Sequence, residues 1–438
     1  MKLSIKTPSP VFHCISCSQD RPLTEIAYRC DCGGLFEVRH HLADLGRTAA
    51  EWRTLFDSRW NAKSGPDASG VWRYRELVLP DLPPESIVSM PEGSTRLYRS
   101  PLLEREVGLD TLFLKHEGEN PTLSFKDRGM TAGVSWAKHL GVRKVVCAST
   151  GDTSASMAAY AAFAGLTSLV LLPRNRVSTE QLSQPIAYGA RTLALDTDFD
   201  GCMRLVAELA RSERVYLLNS MNSVRIEGQK SIVWEMIQQL EWRVPDWIVV
   251  PVGNAGNISA LGKGLAEWRA LGLLGSEGKM PKLAGVQAVA ANPLARSYRG
   301  NFERRETMTA GPTVASAIAI GDPVSYDKAK GVVRGTGGVV TDATEDEILD
   351  AKAMVDAAGI SICPNSATAV AGLRKLVREG TIKKSDLVVV VATAHGLKFS
   401  ETTIAYHEGR LPGITSRRAN RPLPVTATIE AVVEAIGK

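Results

Sequence analysis

The sequence has no apolar run near the roughly 18 residues that a membrane-spanning helix needs, so an integral membrane protein is not expected. Its first residues, M-K-L-S-I-K-T-P-S-P-V-F-H-C, lack the apolar h-region of a signal peptide, and a cytoplasmic location is expected. Neither sign of charge is in surplus: 52 Lys and Arg against 47 Asp and Glu leave +5. The basic residues are scattered, and aromatic residues make up only 6% of the chain. A nucleic-acid surface, which needs clustered cations and stacking platforms, is therefore not expected. Internal repeats and low-complexity tracts are absent too. What remains is ordinary globular composition, 44% hydrophobic and 23% charged over 438 residues. At about 150 residues per domain this length suggests two or three lobes.

Cysteine is scarce and unevenly placed. Of 7 cysteines, Cys14, Cys17, Cys30 and Cys32 crowd into the N-terminal segment. The run C-I-S-C followed by C-D-C-G-G has the look of two thiolate knuckles around a tetrahedral Zn²⁺. The second knuckle is C-x-C rather than C-x-x-C, and a metal-free ribbon of reduced thiols is the alternative. Cys147, Cys202 and Cys363 lie far apart in apolar or mixed surroundings and read as small buried hydrophobes. A disulfide framework does not suit a long chain without a secretory signal.

From about Ser100 onward, short apolar strands alternate with helical stretches. T-L-F-L-K-H, R-K-V-V-C-A-S-T, T-S-L-V-L-L-P, R-T-L-A-L-D, R-V-Y-L-L-N, W-I-V-V-P-V-G, K-L-A-G-V-Q-A-V and D-L-V-V-V-V-A-T read as strands. Continuous apolar strands separated by helices indicate parallel sheets covered on both faces. There are too many strands for one sheet, so two α/β lobes are expected. The stretch from His40 to Ser89, rich in Trp, Pro and charge, reads as extended chain wrapped over other elements. The expected division is residues 1–45 as a ribbon-like segment and 46–135 as an extension plus the start of a large lobe. Residues 136–225 form a smaller α/β lobe, and 226–438 the large lobe with a C-terminal tail.

Ligands collect at the carboxyl ends of parallel strands, and four such ends stand out. Gly253, Asn254, Ala255, Gly256 and Asn257 form a small-residue turn leading into a helix, which suits a phosphate. A tight strand–helix turn with no ligand is the plainer reading. The segment A-S-T-G-D-T-S-A-S offers Ser149, Thr150, Gly151, Thr153 and Ser154 as donors at another helix start, and suits a carboxylate. Asp152 within it could serve simply as a helix N-cap. Lys126, in N-P-T-L-S-F-K-D-R-G, stands beside Phe125 near a helix N-terminus. Burial, Arg128 and the helix terminus would each disfavour its ammonium form, as a Schiff-base lysine requires. Finally, V-A-T-A-H-G-L-K-F places Thr393, His395 and Lys398 at or beyond a strand end. A lone histidine is more often structural than catalytic, whereas Thr393 could place a hydroxyl in the cleft. Two anion loops and an activated lysine are most economically explained by pyridoxal phosphate.

Taken together, H-E-G-E-N-P-T-L-S-F-K-D-R-G, A-S-T-G-D-T-S-A-S, N-S-M-N-S-V-R-I-E-G-Q-K, P-V-G-N-A-G-N and T-A-H-G-L-K-F resemble threonine synthase. D-T-D-F-D-G-C-M, A-N-P-L and A-I-G-D-P-V-S match, in order, its plant-type branch, and the likeness runs over nearly the whole chain from about residue 20. The resemblance implies a two-lobed α/β/α fold of the tryptophan-synthase β-like class, fold type II, with a zinc-ribbon-like N-terminal segment. It implies a homodimeric lyase of threonine biosynthesis acting on O-phospho-L-homoserine by γ-elimination and then β-addition of water. By the same resemblance Lys126 forms the internal aldimine and Gly253–Asn257 hold the cofactor phosphate. Thr393 bonds the pyridine nitrogen. Ser149, Thr150 and Thr153 grip the substrate carboxylate, and Asn219, Ser220 and Arg225 its phosphate. Asp152 stands where the wider fold class has Asn facing the phenolic oxygen, and an ionised carboxylate there would repel a phenolate. Threonine deaminase or a cysteate-forming synthase on the same fold is the enzymatic alternative, although a deaminase substrate carries no phosphate. A zinc-ribbon binding protein with an inert body is the non-enzymatic one.

Overall fold

The computed structural model describes residues 9–149, 151–174, 179–197, 199–212, 215–275 and 278–437. A small antiparallel sheet is formed by β1 (Val11–Cys14), β2 (Asp20–Pro22) and β3 (Phe36–Arg39), with β1 in the centre. The remaining strands are β4 (Leu97–Arg99), β5 (Thr111–His116), β6 (Lys144–Ala148), β7 (Thr167–Pro173), β8 (Arg191–Leu195), β9 (Val215–Leu217), β10 (Trp247–Pro251), β11 (Lys282–Ala288), β12 (Val339–Ala343) and β13 (Leu387–Ala392). They build two separate sheets. One has four parallel strands in the order β8-β7-β6-β9. The other has six, ordered β12-β11-β10-β13-β5-β4, parallel except for the edge strand β4. Strands β10 and β13 are buried almost end to end. That is why they read as unbroken apolar runs rather than as alternating ones.

Around these sheets pack α1 (Ala49–Arg59), α2 (Lys126–His139), α3 (Asp152–Phe163), α4 (Val224–Gln229), α5 (Ser231–Gln239), α6 (Gly256–Ala270), α7 (Tyr326–Gly335) and α8 (Pro364–Arg378). The stretch from His40 to Ser89 is not extended throughout, contrary to the sequence expectation. Thr48 and Glu51 make a reciprocal capping box that starts α1, a local signal stronger than the Pro and Trp content around it. The stretch does wrap the body: Trp52 stacks on Phe56, and Phe56 on Trp268 of α6. Among the described residues no helix is long and apolar enough to cross a membrane.

Glycines set how closely α2 and α4 approach. A Cβ on Gly228 of α4 would lie 1.7 Å from the Arg128 carbonyl oxygen of α2, and one on Gly129 2.8 Å from the Arg225 carbonyl oxygen. A Cβ on Gly133 would instead meet the tip of Leu218 at 2.6 Å. Backbone cannot step aside as a side-chain methyl can. Gly228→Ala is therefore expected to cost about 2 kcal/mol or more, and Gly133→Ala clearly less. Urea denaturation of the two variants measures the difference, and equal losses would contradict it.

Candidate active site

Both large sheets point their carboxyl ends at one cleft. Neighbouring strands β5, β13 and β10 lead into the Lys126 loop, Thr393 and the Gly253–Asn257 turn, while neighbours β6 and β9 lead into Ser149–Thr153 and Asn219–Arg225. Chain connectivity reverses direction between β10 and β13, the kind of switch point where open α/β sheets leave a crevice.

The loop before α2 is stitched to the segment after β13. Phe125 N donates to Thr393 O at 2.9 Å, His395 N donates to Leu123 O at 3.0 Å, and Ser124 bridges Ala394. Leu123 takes a left-handed φ of 64°, which turns the chain so that Lys126 opens α2. The Lys126 Nζ lies 4.3 Å from the centre of the Phe125 ring. Its two neighbours are fixed inward. Asp127 accepts from Thr122 N (2.7 Å), Thr122 Oγ1 (2.6 Å) and Ser156 Oγ (2.5 Å), and burial raises its carboxyl to about 6. Arg128 is locked against Glu117 (2.7 Å) and Glu235 of α5 (2.8 Å), all three without solvent exposure. The expectation that Arg128 would depress the lysine is thus corrected, because its charge is neutralised by two carboxylates on the far side of α2. Burial lowers Lys126 to about 7, with help from the Arg225 guanidinium and against the opposing charge of Asp152.

Arg225 is 3% exposed; its Nη1 donates to Leu218 O at 3.0 Å, and its Nε has no protein partner. Burial lowers it to about 10. Ser220 lies half-buried in the turn before α4. The Asn219 side chain is engaged with the neighbouring strand. Its Oδ1 accepts from Ala148 N (2.9 Å) and its Nδ2 donates to Ala148 O (2.8 Å), so both ends of the amide tie β9 to β6. At the end of β6, Ser149 Oγ accepts from Gly151 N (3.3 Å), and Ser154 Oγ donates to Gly151 O (2.7 Å). Thr153 is half-buried on the first turn of α3; Thr150 lies outside the described residues.

At the end of β10 the Gly253–Asn257 turn is shaped for an anion. Ala255, at the N-cap of α6, has φ 61° and no side-chain cap. A Cβ on Gly253 would lie 2.9 Å from Ile318 Cα, so glycine is needed for this approach. Both side-chain polar atoms of Asn257 are buried without a partner, a cost of about 1–3 kcal/mol per group that a ligand would remove. Across the cleft Thr393 Oγ1 lies 3.2 Å from Ser366 Oγ. That serine already accepts from Thr393 N (2.7 Å) and Ala394 N (3.3 Å). Its own proton is therefore the one it gives, to Thr393 Oγ1 or to Cys363 Sγ at 3.1 Å.

Comparison with known proteins gives this geometry its context. Residues 88–394 match the family model described as pyridoxal-phosphate dependent enzyme. Threonine synthase 2, chloroplastic, of Arabidopsis thaliana is 44% identical, covering 96% of this chain and 83% of that protein. Threonine synthase of Methanocaldococcus jannaschii is 42% identical over 90% of this chain and 94% of its own length. This chain belongs to the threonine synthase family. The crystal structure of threonine synthase from Escherichia coli superposes with a TM-score of 0.65 at 19% identity, covering 94% of each chain, and so shares the fold. The enzyme is thus a pyridoxal-phosphate-dependent lyase. Its residues fit that cofactor: a buried lysine poised as a free amine, a helix N-terminus with an orphaned asparagine amide, and a hydroxyl with a proton to give. Pyridoxal phosphate would be held by Lys126, Gly253–Asn257 and Thr393.

Two features of the cleft are new relative to the sequence reading. Asp152 does not cap α3, whose N-cap is Gly151 with no side-chain bond. It pairs with Lys398 at 2.8 Å, and Lys398 also donates to Thr122 O at 3.0 Å. This cation offsets the repulsion expected between Asp152 and a phenolate. Lys398 lay within the segment that carried the family likeness, but nothing local showed its partner. Ser366 had no sequence signal beyond its place at a Pro-started helix. His395 is structural, stacked on His116 at 5.6 Å with its Nδ1 accepting from Leu397 N.

In the cofactor-free protein, pulse labelling of Lys126 with acetic anhydride, read by peptide mass spectrometry, is expected to rise with pH around a midpoint near 7. Arg225→Met removes a neighbouring cation and should move the midpoint upward. Lys398→Met bares Asp152 and should do the same. A parent midpoint at the ordinary lysine value of 10.5 would contradict the geometry.

Proposed function

We propose that the enzyme converts O-phospho-L-homoserine and water into L-threonine and phosphate, as a homodimer in the cytosol. The observation that carries this reading is Arg225, a buried guanidinium with an open Nε, on a helix packed against the one that Lys126 opens. Bound in this cleft, pyridoxal phosphate supplies an aldehyde that bonds amines and a conjugated ring that takes up electron density from carbon.

The chain's own residues do the rest. Arg225 and Ser220 bind the substrate phosphate, the fork of a guanidinium being suited to a dianion, while Asn219 holds their turn against Ala148. Ser149, Thr150 and Thr153, at the N-terminus of α3, take the carboxylate. These two anchors fix the substrate so that its α-proton faces Nζ of Lys126. With its pKa lowered to about 7, that amine accepts the proton and later gives one back. Thr393 donates from a neutral hydroxyl and brings no negative charge to the cofactor's nitrogen. Asp152 is held by Lys398 at 2.8 Å. The phosphate that leaves Cγ remains at Arg225, where it serves as base for the water that adds at Cβ.

This division of labour places substrate anchors in residues 136–225 and the cofactor's phosphate turn in residues 226–438. Residues 46–135 supply the lysine. Residues 1–45 form a ribbon whose Cys14, Cys17, Cys30 and Cys32 hold a structural Zn²⁺. The four sulfur atoms lie within 4.8 Å of one another, and a tetrahedral Zn–S distance of about 2.3 Å requires sulfur–sulfur edges of about 3.8 Å.

Phosphate release from O-phospho-L-homoserine, with L-threonine identified by amino-acid analysis, tests the reading. Lys126→Ala is expected to abolish turnover. Arg225→Ala should raise KM for this substrate by about tenfold or more, with cofactor affinity little changed. Formation of 2-oxobutanoate from threonine, with no phosphate release from phosphohomoserine, would point to a deaminase instead.

A further inference from the structure

The ribbon packs on the rest of the chain through Leu23, whose carbonyl accepts from Trp136 of α2, and through Phe36 and Val38. Two further contacts flank the turn carrying Arg225. Upstream, Leu217 N donates to the Tyr28 hydroxyl at 2.7 Å, and the Tyr28 ring lies edge-on to Tyr216 at 5.9 Å. Downstream, His40 Nε2 meets Glu227 Oε2 at 2.6 Å. Leu217 ends β9 just before Asn219, and Glu227 follows Arg225 on α4. Glu227 is also met by Lys230 (2.5 Å) and by Lys263 of α6, which in addition contacts Val38 O. Lys328 of α7 donates to Phe36 O at 2.6 Å. Tyr28 and His40 bracket Cys30 and Cys32 in the chain, so the two contacts hang from one cysteine knuckle.

That knuckle cannot hold its shape by pairing alone. Its strands have only 4, 3 and 4 residues, and a sheet this small relies on its apolar face, Phe12, Phe36 and Val38, and on a further tie for stability. The sulfur pairs Cys14–Cys32 and Cys17–Cys30 stand 3.5 and 3.6 Å apart. A Cβ on Gly34 would lie 2.7 Å from Cys14 Sγ, so the chain leaves room there for the sulfur cluster. Beside β3 a cavity of about 930 Å³ is lined by Val38, Arg39 and His40 on the ribbon side and by Gly262 and Lys263 of α6, with the Lys263–Val38 contact at its edge. The His40 side chain itself is buried, its Nε2 lying 2.6 Å from Glu227 and 3.2 Å from Lys230.

We infer that Zn²⁺ on the four thiolates makes the ribbon a clamp, with Tyr28 and His40 as positioning residues that hold Leu217–Glu227 in the conformation that binds the substrate's phosphate. Metal loss frees both contacts, the turn relaxes, and Arg225 no longer meets a preorganised dianion. The cofactor's turn, on α6, keeps its own supports. The inference rests on the reading of Arg225 given above.

The test uses full-length holoenzyme, assayed before and after zinc is withdrawn with 1,10-phenanthroline, alongside Tyr28→Phe/His40→Ala, which keeps all four thiolates. Stripped enzyme should show KM for O-phospho-L-homoserine raised about fivefold or more, with kcat changed less, the cofactor's visible absorbance retained, and KM restored by added Zn²⁺. The double variant should show the same KM shift with zinc still bound, and it decides the matter if stripped enzyme precipitates. Unchanged KM in the double variant overturns the clamp. Purified enzyme that binds no zinc after dialysis against Zn²⁺ overturns the metal. Arg225→Ala run in parallel separates the two levels. If it raises KM while the double variant does not, the clamp alone fails; if it leaves KM unchanged, the phosphate reading itself fails.

Discussion

Arg128 has no contact with water and no room for error. Its guanidinium is gripped by Glu117 and Glu235, and Glu235 in turn takes Lys115 at 2.6 Å. Taking four charges out of water costs several kcal/mol per ion and is offset only when every donor and lone pair is met. Here Thr95, Ser231 and the Gly70 carbonyl complete the set. Such a network adds little net stability, but it tolerates one arrangement only. Because Arg128 and the buried Asp127 both face inward, α2 is fixed in rotation, and Lys126 is left to face the cleft.

The same rotation brings α2 against α4 at the distance its glycines permit, and this contact creates the electrostatics of the site. Lys126 is acted on by a cation, Arg225, and by an anion, Asp152, whose charge is offset by Lys398. Burial and Arg225 win, so the amine titrates near neutral pH, while the paired carboxylate keeps it from being driven lower. The site thus offers three different sets of donors: an arginine fork, a helix start with hydroxyl residues, and a glycine-rich turn with an unsatisfied amide.

Much of this was legible in the sequence where the signal was local. Strands β10 and β13 read as buried because four successive β-branched or apolar residues leave no polar face. The anion turns read as turns because small residues and helix starts occupy adjacent positions. Lys126 stood out from its segment and from the family likeness. Helix α1 was less legible, since a two-residue capping signal had to outweigh the surrounding Trp and Pro. Strands β4 and β12 passed unnoticed, being short and near sheet edges.

Partners distant in the chain were not legible at all. Arg128, two residues from Lys126, seemed the natural cation to depress it, yet Arg225, far along the chain, does so instead. Asp152 looked unpaired until the fold brought Lys398 within 2.8 Å. Ser366 had no mark of its own. By itself the sequence determined the alternation of strand and helix, the residues able to bind anions, and the family, because each is encoded in neighbouring positions. Which charge faces which was decided only by the tertiary structure. Coulomb interactions and burial act through space, and the closeness of α2 to α4 is a property of their packing, not of either segment.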